Sequence, residues 1–535
     1  MKQVTKWVAL TLSLCMLLTA FVGCAGDENE IIEGTNITRA ELDPAKIGDY
    51  GDLKLPIDNK NTKIEVLCST SVTTNNESVV LNELRRRTGL NVQIIAVPTS
   101  TIKEKASTLV ASGDMMPDIF SGGFSIPEFN DFGKQGAFEP LNKHLKELPN
   151  LNNIFYKNAK DYGVDQKIKN LMSETGDLYL FPIFDINRDV NHGMLYRKDI
   201  LDKHGLKMWN NKEEYIEVLR QLKKLYPDSY PMVSKTGTAI IRDIGYSWGI
   251  NSSGPYYDES AKKWKMSGVQ PEYREVLDFL KLLYDEGLID PEFLTSTQSA
   301  WTQKMVQKDK AFVTWDWISR MDMFEVEARK SYPEYDLEYG YPIGGKVITL
   351  PKISGGAAIK RGKNSMLAMK LCDYLLSDSG AQLMTMGIEG VTYNLREDGI
   401  AEYIGHEGQK GVSISDLEAE YGLFISGLYK RFDRRSAYYD FTDNEKRAQE
   451  LMLNKEGGGF WPEDPSLSFT AEEKEVTNKY LATYGKAAEE FATKYILGTA
   501  TGDKAWEDWL KKAQTLGVKE MEDAYNSAQA RYDAL

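Results

Sequence analysis

Between Lys63 and Ser121, three short apolar runs alternate with two helical patterns, and nothing else in the chain constrains the fold as much. "KIEVLC" (63–68) reads as a strand. In "NESVVLNELRRRTG", Val80, Leu81, Leu84 and Thr88 recur on one helical face, and Gly89 stands where a helix C-cap needs positive φ. "NVQIIAVP" (91–98) is the next strand, "TIKEKASTLVASGD" a second helix ending near Gly113, and "PDIFS" (117–121) a third strand. Strand, crossover helix and strand in succession imply a parallel sheet covered by helices. Ligands of such sheets bind beyond the carboxyl ends of the strands. Those ends carry "STSVTTNN" (69–76) and "SGGFS" (121–125).

A second α/β pattern begins near "GMLYRKDILDKHGLK" (193–207). Asn210 or Asn211 can cap the next helix, with Glu213 and Glu214 in its first turn and Tyr215, Leu219, Leu222 and Tyr226 at helical spacing. The last stretch, from about residue 471, is helical throughout. A chain of 535 residues exceeds what one core usually organises, so two lobes are expected. A formal charge of −14 argues against a nucleic-acid partner, which requires basic stripes.

The N-terminus carries Lys2 and Lys6, then an uncharged, mostly apolar run from Trp7 to Val22, too short to span a bilayer comfortably. This is the pattern of a secretory signal. Phe21-Val22-Gly23-Cys24 resembles the lipobox of bacterial lipoproteins, although Phe21 replaces the usual aliphatic residue. The reading is therefore a signal peptide over 1–23, lipid on Cys24, and a flexible polar stalk over 24–56, with the protein held outside the cell membrane. Cys15 leaves with the signal, so Cys68 and Cys372 remain, either as two buried thiols or as one bridge.

Five motifs follow in order: "ASGDMMPDIF" (111–120), "MLYRKDILDKHGL" (194–206), "VQKDKAFVTWDW" (306–317), "GGAAIKRGKNSMLAMKLCDYLLSDSGAQLMTMGIEG" (355–390) and "ILGTATGDKAWEDWLKKAQTLG" (496–517). Together, behind a lipobox, they resemble the family 1 extracellular solute-binding proteins of ABC importers, in the long lipoprotein branch whose ligands are often oligosaccharides. The resemblance implies an α/β, periplasmic-binding-protein-like type II solute-binding fold. Two α/β lobes would be joined by a multi-strand hinge, with the ligand cleft between them and extra helices at the C-terminus. Lobe I would hold 57–184 and 343–376, and lobe II 190–338 and 380–535. The partners implied are a carbohydrate, the permease subunits of an importer, and the membrane through Cys24. The chain is expected to be a monomer without a cofactor.

A sugar site needs aromatic plates and planar polar groups. Trp315 and Trp317 in "TWDW" alternate, so on a strand they share a face. That face looks either into the cleft or into a lobe core. Tyr246 and Trp248 in "YSWG", and Phe460 and Trp461 behind three glycines in "GGGFW", are further candidates, each with a packed or surface alternative. The polar candidates are Asn75 and Asn76 after the first strand, and Gly122, Phe124 and Ser125 after the third. Asp185, Asn187 and Arg188 lie near the first lobe crossing, where a solvated hinge loop or an internal salt bridge would account for them equally well.

Catalytic signals are thin. There are four histidines, and no His-Glu-x-x-His, Gly-x-Ser-x-Gly or phosphate loop. The chain is therefore not expected to be an enzyme, the alternatives being a binder of peptides or other polar solutes and a surface-anchored glycosidase using paired carboxylates. No metal site is expected: where some family members carry a Ca²⁺ loop, "KKLYPDSYPMVSKTG" offers only Asp228.

Overall fold

The computed structural model describes residues 31–34, 36–70, 76–113, 115–185, 187–235, 237–250, 252–454 and 459–535. Strand Lys63–Thr70 pairs in parallel with Asn91–Pro98 on one side and Ile119–Ser121 on the other. The sheet is completed by Ile353–Ile359, which returns antiparallel between Ile119–Ser121 and Leu180–Phe184. The helix Val79–Thr88 starts at Ser78, whose hydroxyl accepts from the Leu81 amide, and buries Val80, Leu81, Leu84 and Thr88. It stops at Gly89, where φ is +71° and a Cβ would lie 1.8 Å from the Asp58 carbonyl oxygen. Only glycine fits there.

Cores form on both faces of this five-stranded sheet. One of them takes in more chain than expected. Ile37, Leu42, Ile47, Leu53 and Leu55, read from sequence as flexible stalk, are buried in it. Short turns at Arg39–Leu42 and Pro44–Ile47 are capped by Thr38 and Asp43 and deliver these side chains. Their irregular spacing hid them from a search for periodicity. Residues between Leu383 and Tyr439, expected with the second lobe, also belong to this core. The helix Ser365–Leu376 leads through Ser377 directly into Asp378–Thr385, and a Cβ on Gly380 would lie 2.3 Å from the Tyr374 carbonyl oxygen. The chain folds back on itself at that point and does not cross to the other lobe.

The second lobe is built on a three-stranded antiparallel sheet, Val313–Trp317, His192–Arg197 and Leu337–Gly340 in that order. Helices pack around it, including Lys212–Leu225, capped by Asn211 and burying Tyr215, Leu219 and Leu222. Its core gathers residues from Val190 to Val347 and again from Ala448 to Met521, so the C-terminal helices belong to it. Between the lobes, Lys346–Ile348 pairs in parallel with Gly459–Trp461 as a hinge ribbon. Cys68 and Cys372 are both buried and free, and burial pushes both thiols up, to about 12 and about 11.

Candidate functional site

A cavity of about 780 Å³ lies where the hinge ribbon, the first lobe and the second lobe meet. The first lobe contributes Ile126, Asn170, Ile353 and Ser354, and the hinge contributes Lys346 and Trp461. The second lobe contributes Tyr246 and Trp248 from one turn and Tyr256 and Tyr257 from the hairpin Pro255–Asp258/Lys263–Met266. A smaller cavity of about 180 Å³ shares Ile126 with it and reaches the carboxyl ends of the first-lobe strands at Ser69, Ser121, Gly122 and Phe124. Gly355 and Gly356 of the return strand form its floor, next to Ser354 of the larger cavity. The two cavities adjoin at Ile126, one at the strand ends and one an aromatic chamber.

The aromatic plates are held from behind. Trp248 donates its Nε1–H to Glu275 at 3.0 Å and packs on Phe279, with centroids 5.5 Å apart. Trp461 lies against the bare backbone of Gly249, where a Cβ would come within 2.9 Å of the ring. The Lys346 ammonium sits 4.9 Å over the same ring, a cation–π distance. The Trp461 Nε1 is buried without a hydrogen-bond partner among the described residues. Asn170 ties the lobes together: its Oδ1 accepts from the Ser466 amide at 3.1 Å and the Tyr532 hydroxyl at 2.8 Å. Lys474 of the C-terminal helices reaches Asp131 of the first lobe at 2.7 Å.

Of the residues singled out by sequence, Tyr246, Trp248 and Trp461 line the chamber, and Gly122 and Phe124 line the smaller cavity. Others lie elsewhere. Trp315 is only 8 % exposed and packs in the second-lobe core, its ring 6.4 Å from Tyr246. Trp317, at the strand end, is 43 % exposed and lies against His192 with centroids 3.9 Å apart, outside both cavities. Phe460 packs on the second-lobe core. Ser125 caps the helix Ile126–Lys134 in a reciprocal box with Glu128. Asn76 bonds both backbone groups of Ile94, at 2.8 and 3.1 Å; Asn75 and Cys24 lie outside the described residues.

The hinge triad is consumed internally. Asp185 pairs with Arg434, Asn187 donates to the Pro351 carbonyl at 2.7 Å, and Arg188 pairs with Glu445 under the rings of Tyr438 and Phe441. The salt-bridge alternative thus holds for Asp185 and Arg188. Sequence reasoning missed Tyr256, Tyr257, Lys346, Asn170, Glu272 and Asp464. The adjacent tyrosines of "PYYD" and the acidic turn after Trp461 in "FWPEDP" were the available signals.

Two α/β lobes on a strand hinge, with an aromatic cleft between them, define a type II solute-binding fold. A family model described as bacterial extracellular solute-binding protein matches residues 77–382, and the chain belongs to this family. It is similar to Lipoprotein LipO of Bacillus subtilis, 27 % identical over 379 residues, which span 64 % of this chain and 71 % of LipO. It is also similar to the polygalacturonan/rhamnogalacturonan-binding protein YtcQ of that organism, 22 % identical over 475 residues, 84 % of this chain and 88 % of YtcQ. Among solved structures, the alginate-binding protein AlgQ2 without calcium ion superposes with a TM-score of 0.66 at 23 % identity, covering 89 % of this chain and 99 % of AlgQ2. The Streptococcus pneumoniae ABC-transporter substrate-binding protein FusA in complex with kestose gives 0.62 at 18 % identity, covering 89 % and 100 %. At such identities the solved structures establish the fold alone.

Proposed function

We propose that the chain is the extracytoplasmic, membrane-tethered substrate-binding component of an ABC importer, and that it captures an oligosaccharide between its lobes and hands it to a permease. The observation that carries this reading is the aromatic chamber: Tyr246, Trp248, Tyr256 and Trp461 converge from the hinge and one lobe on a cavity of about 780 Å³ opposite polar groups of the other. Sugar rings present C–H faces to such plates and hydroxyls to the groups around them. A peptide would call for unpaired backbone edges along the groove, whereas the plates suit rings. YtcQ, AlgQ2 and FusA, whose names specify carbohydrate ligands, support the same class. Attachment rests on the Cys24 lipobox and a lipoprotein relative. The protein acts as a monomer and returns its ligand uncleaved.

The test is a thermal-shift screen of the mature chain, carrying Cys24→Ser so that it stays in solution, against a panel of neutral and acidic oligosaccharides. A ligand that binds only the folded state stabilises it by RT ln(1 + [L]/Kd), about 2.7 kcal/mol at 100 Kd. A panel without a single shift refutes the reading. Overnight incubation with the tightest binder, followed by chromatography, should return it intact; product at or above stoichiometry would instead make the protein a glycosidase.

A further inference from the structure

The chamber is lopsided in charge. Asp258 and Glu259 of the hairpin, Glu272 at the start of helix Pro271–Asp285, and Glu463 and Asp464 behind the hinge ribbon all line it. Three of these acids are matched: Asp258 by Lys265 at 2.6 Å, Glu259 by Lys262 at 2.5 Å and Glu463 by Lys167 at 2.9 Å. Glu272 and Asp464 form no ion pair among the described residues. Among the described residues Asp464 accepts only the Tyr257 amide, at 3.2 Å. Burial, and then Glu259 and Glu463, push its carboxyl up to about 6. The Tyr256 phenol is pushed up to about 12, chiefly by burial and then by Glu272, Asp258, Glu522 and Asp464. Its ring therefore lies within electrostatic reach of both unmatched acids.

The opposing charge is small. Among the described residues no arginine lines the chamber and one lysine does, Lys346, whose ammonium lies on the face of Trp461 and keeps its charge there. The arginine foreseen from sequence, Arg188, is consumed by Glu445. A uronic acid places one carboxylate on every ring. Recognition of such a group needs a guanidinium fork or a free ammonium. Here it would enter a space whose one lining ammonium rests on Trp461 and which two unmatched carboxylates also line, and charges within the ~8 Å screening length at physiological salt are felt there. Like charges brought together in this way act against a wrong partner without weakening a right one.

We propose that the cleft selects uncharged oligosaccharides and rejects uronides, with Glu272 and Asp464 as the rejecting groups. This rests on the oligosaccharide reading above. It separates this chain from a relative named for polygalacturonan. The chamber keeps the aromatic plates that any sugar needs, and of its three lining charges without an ion pair among the described residues, two are of the sign that a uronide carries.

The experiment is calorimetric titration of the mature chain (Cys24→Ser) at pH 7.5 with matched probes. These are galacturonate, glucuronate and mannuronate trimers, their methyl esters, and the neutral gluco-, galacto-, manno- and xylo-trimers. Esterification removes charge while keeping ring and linkage. Each acid is expected to bind at least tenfold more weakly than its ester or not at all. The gap should narrow at 0.5 M NaCl and in the double variant Glu272→Gln/Asp464→Asn, whose fold is checked by its melting temperature. An acid trimer that binds as tightly as its ester overturns the selection by charge and leaves the oligosaccharide reading standing. If neutral trimers bind while no uronide binds in either form, the double variant decides: acid binding gained supports the proposal, and none gained overturns it. If nothing in the panel binds, the oligosaccharide reading falls and the proposal with it.

Discussion

Trp461→Ala and Trp315→Ala, made separately, should fail in opposite ways. Trp461 lies between the Gly249 backbone and the chamber, with Lys346 over its face, and only part of the ring is buried. Truncation removes one aromatic plate from a ligand site. Plates of this kind are hot spots whose loss costs about 2 kcal/mol or more of binding, so affinity should fall more than tenfold. The space vacated opens onto the cleft and fills with water, so the fold loses little. Trp315 is 8 % exposed within the second-lobe core. Its truncation leaves a closed void and costs about 3–5 kcal/mol. For a unit of that size each kcal/mol moves Tm by about 2–4 °C, so Trp315→Ala should melt about 6–20 °C earlier. Its folded fraction should bind the panel's tightest oligosaccharide within a few-fold of the unmodified protein. Differential scanning fluorimetry and calorimetric titration on the same preparations give both numbers. A Trp461→Ala protein that keeps its affinity within twofold, or a Trp315→Ala protein that melts normally and no longer binds, would refute this division between site and core.

Three further outcomes are expected. Cys24→Ser should move the protein from the membrane fraction to the soluble fraction at unchanged affinity, and continued sedimentation with membranes in detergent-free fractionation would disprove the lipid anchor. Gly249→Ala places a Cβ 2.9 Å from the Trp461 ring at a φ of +75°; affinity should fall with a loss of roughly 1–2 kcal/mol in stability, and unchanged affinity would mean that the seat of Trp461 is irrelevant. Burial holds the His192 imidazole down at about 4, although Asp316 pulls it the other way. The unfolded chain, with an ordinary value near 6.5, binds that proton first as pH falls, so stability present above about 6.5 is lost on the way down to about 4. The Tm drop between pH 7.5 and pH 5 should therefore be smaller in His192→Gln, and equal drops would exclude His192 as the cause.

The parallel half of the first lobe could be read from sequence because its determinants are local. Ser78 and Gly89 bound one helix, and each strand adjoins the helix that follows it. The return strand could not be placed in the sheet in this way: Ala358 opposes Phe120 across more than two hundred residues, and no local pattern encodes that pairing. The lobe boundary at 380 failed for a related reason, since the reversal at Gly380 looks like a crossing unless one knows that Leu383–Tyr439 finds its apolar partners in the first core. Within the site, Trp461 stood out because three glycines precede Phe460 and Trp461, and Trp248 because it stands with Tyr246 in "YSWG". Tyr256 and Tyr257 did not, because nothing in a hairpin says which wall of the protein it faces. Period-two alternation correctly put Trp315 and Trp317 on one face. What covers a face is a tertiary matter: the core covers Trp315, whereas Trp317 at the strand end lies against His192 and stays exposed.

Charges are the hardest part of a site to read in this way. A carboxylate or guanidinium in a sequence is either a ligand group or half of an internal pair, and the pair's other half is often far away. Asp185 meets Arg434 at a separation of 249 residues and Arg188 meets Glu445 at 257, so both candidates for gripping a ligand hold the hinge instead. The same uncertainty applies to acids, and only placing every partner resolves it. Once Lys265, Lys262 and Lys167 are assigned to Asp258, Glu259 and Glu463, what remains to face a ligand is Glu272 and Asp464 against Lys346, and Lys346 is on Trp461. The formal charge of −14 could not have said this, because a net charge counts paired and unpaired groups alike. A ligand meets only the unpaired ones, and here they favour rings without carboxylates.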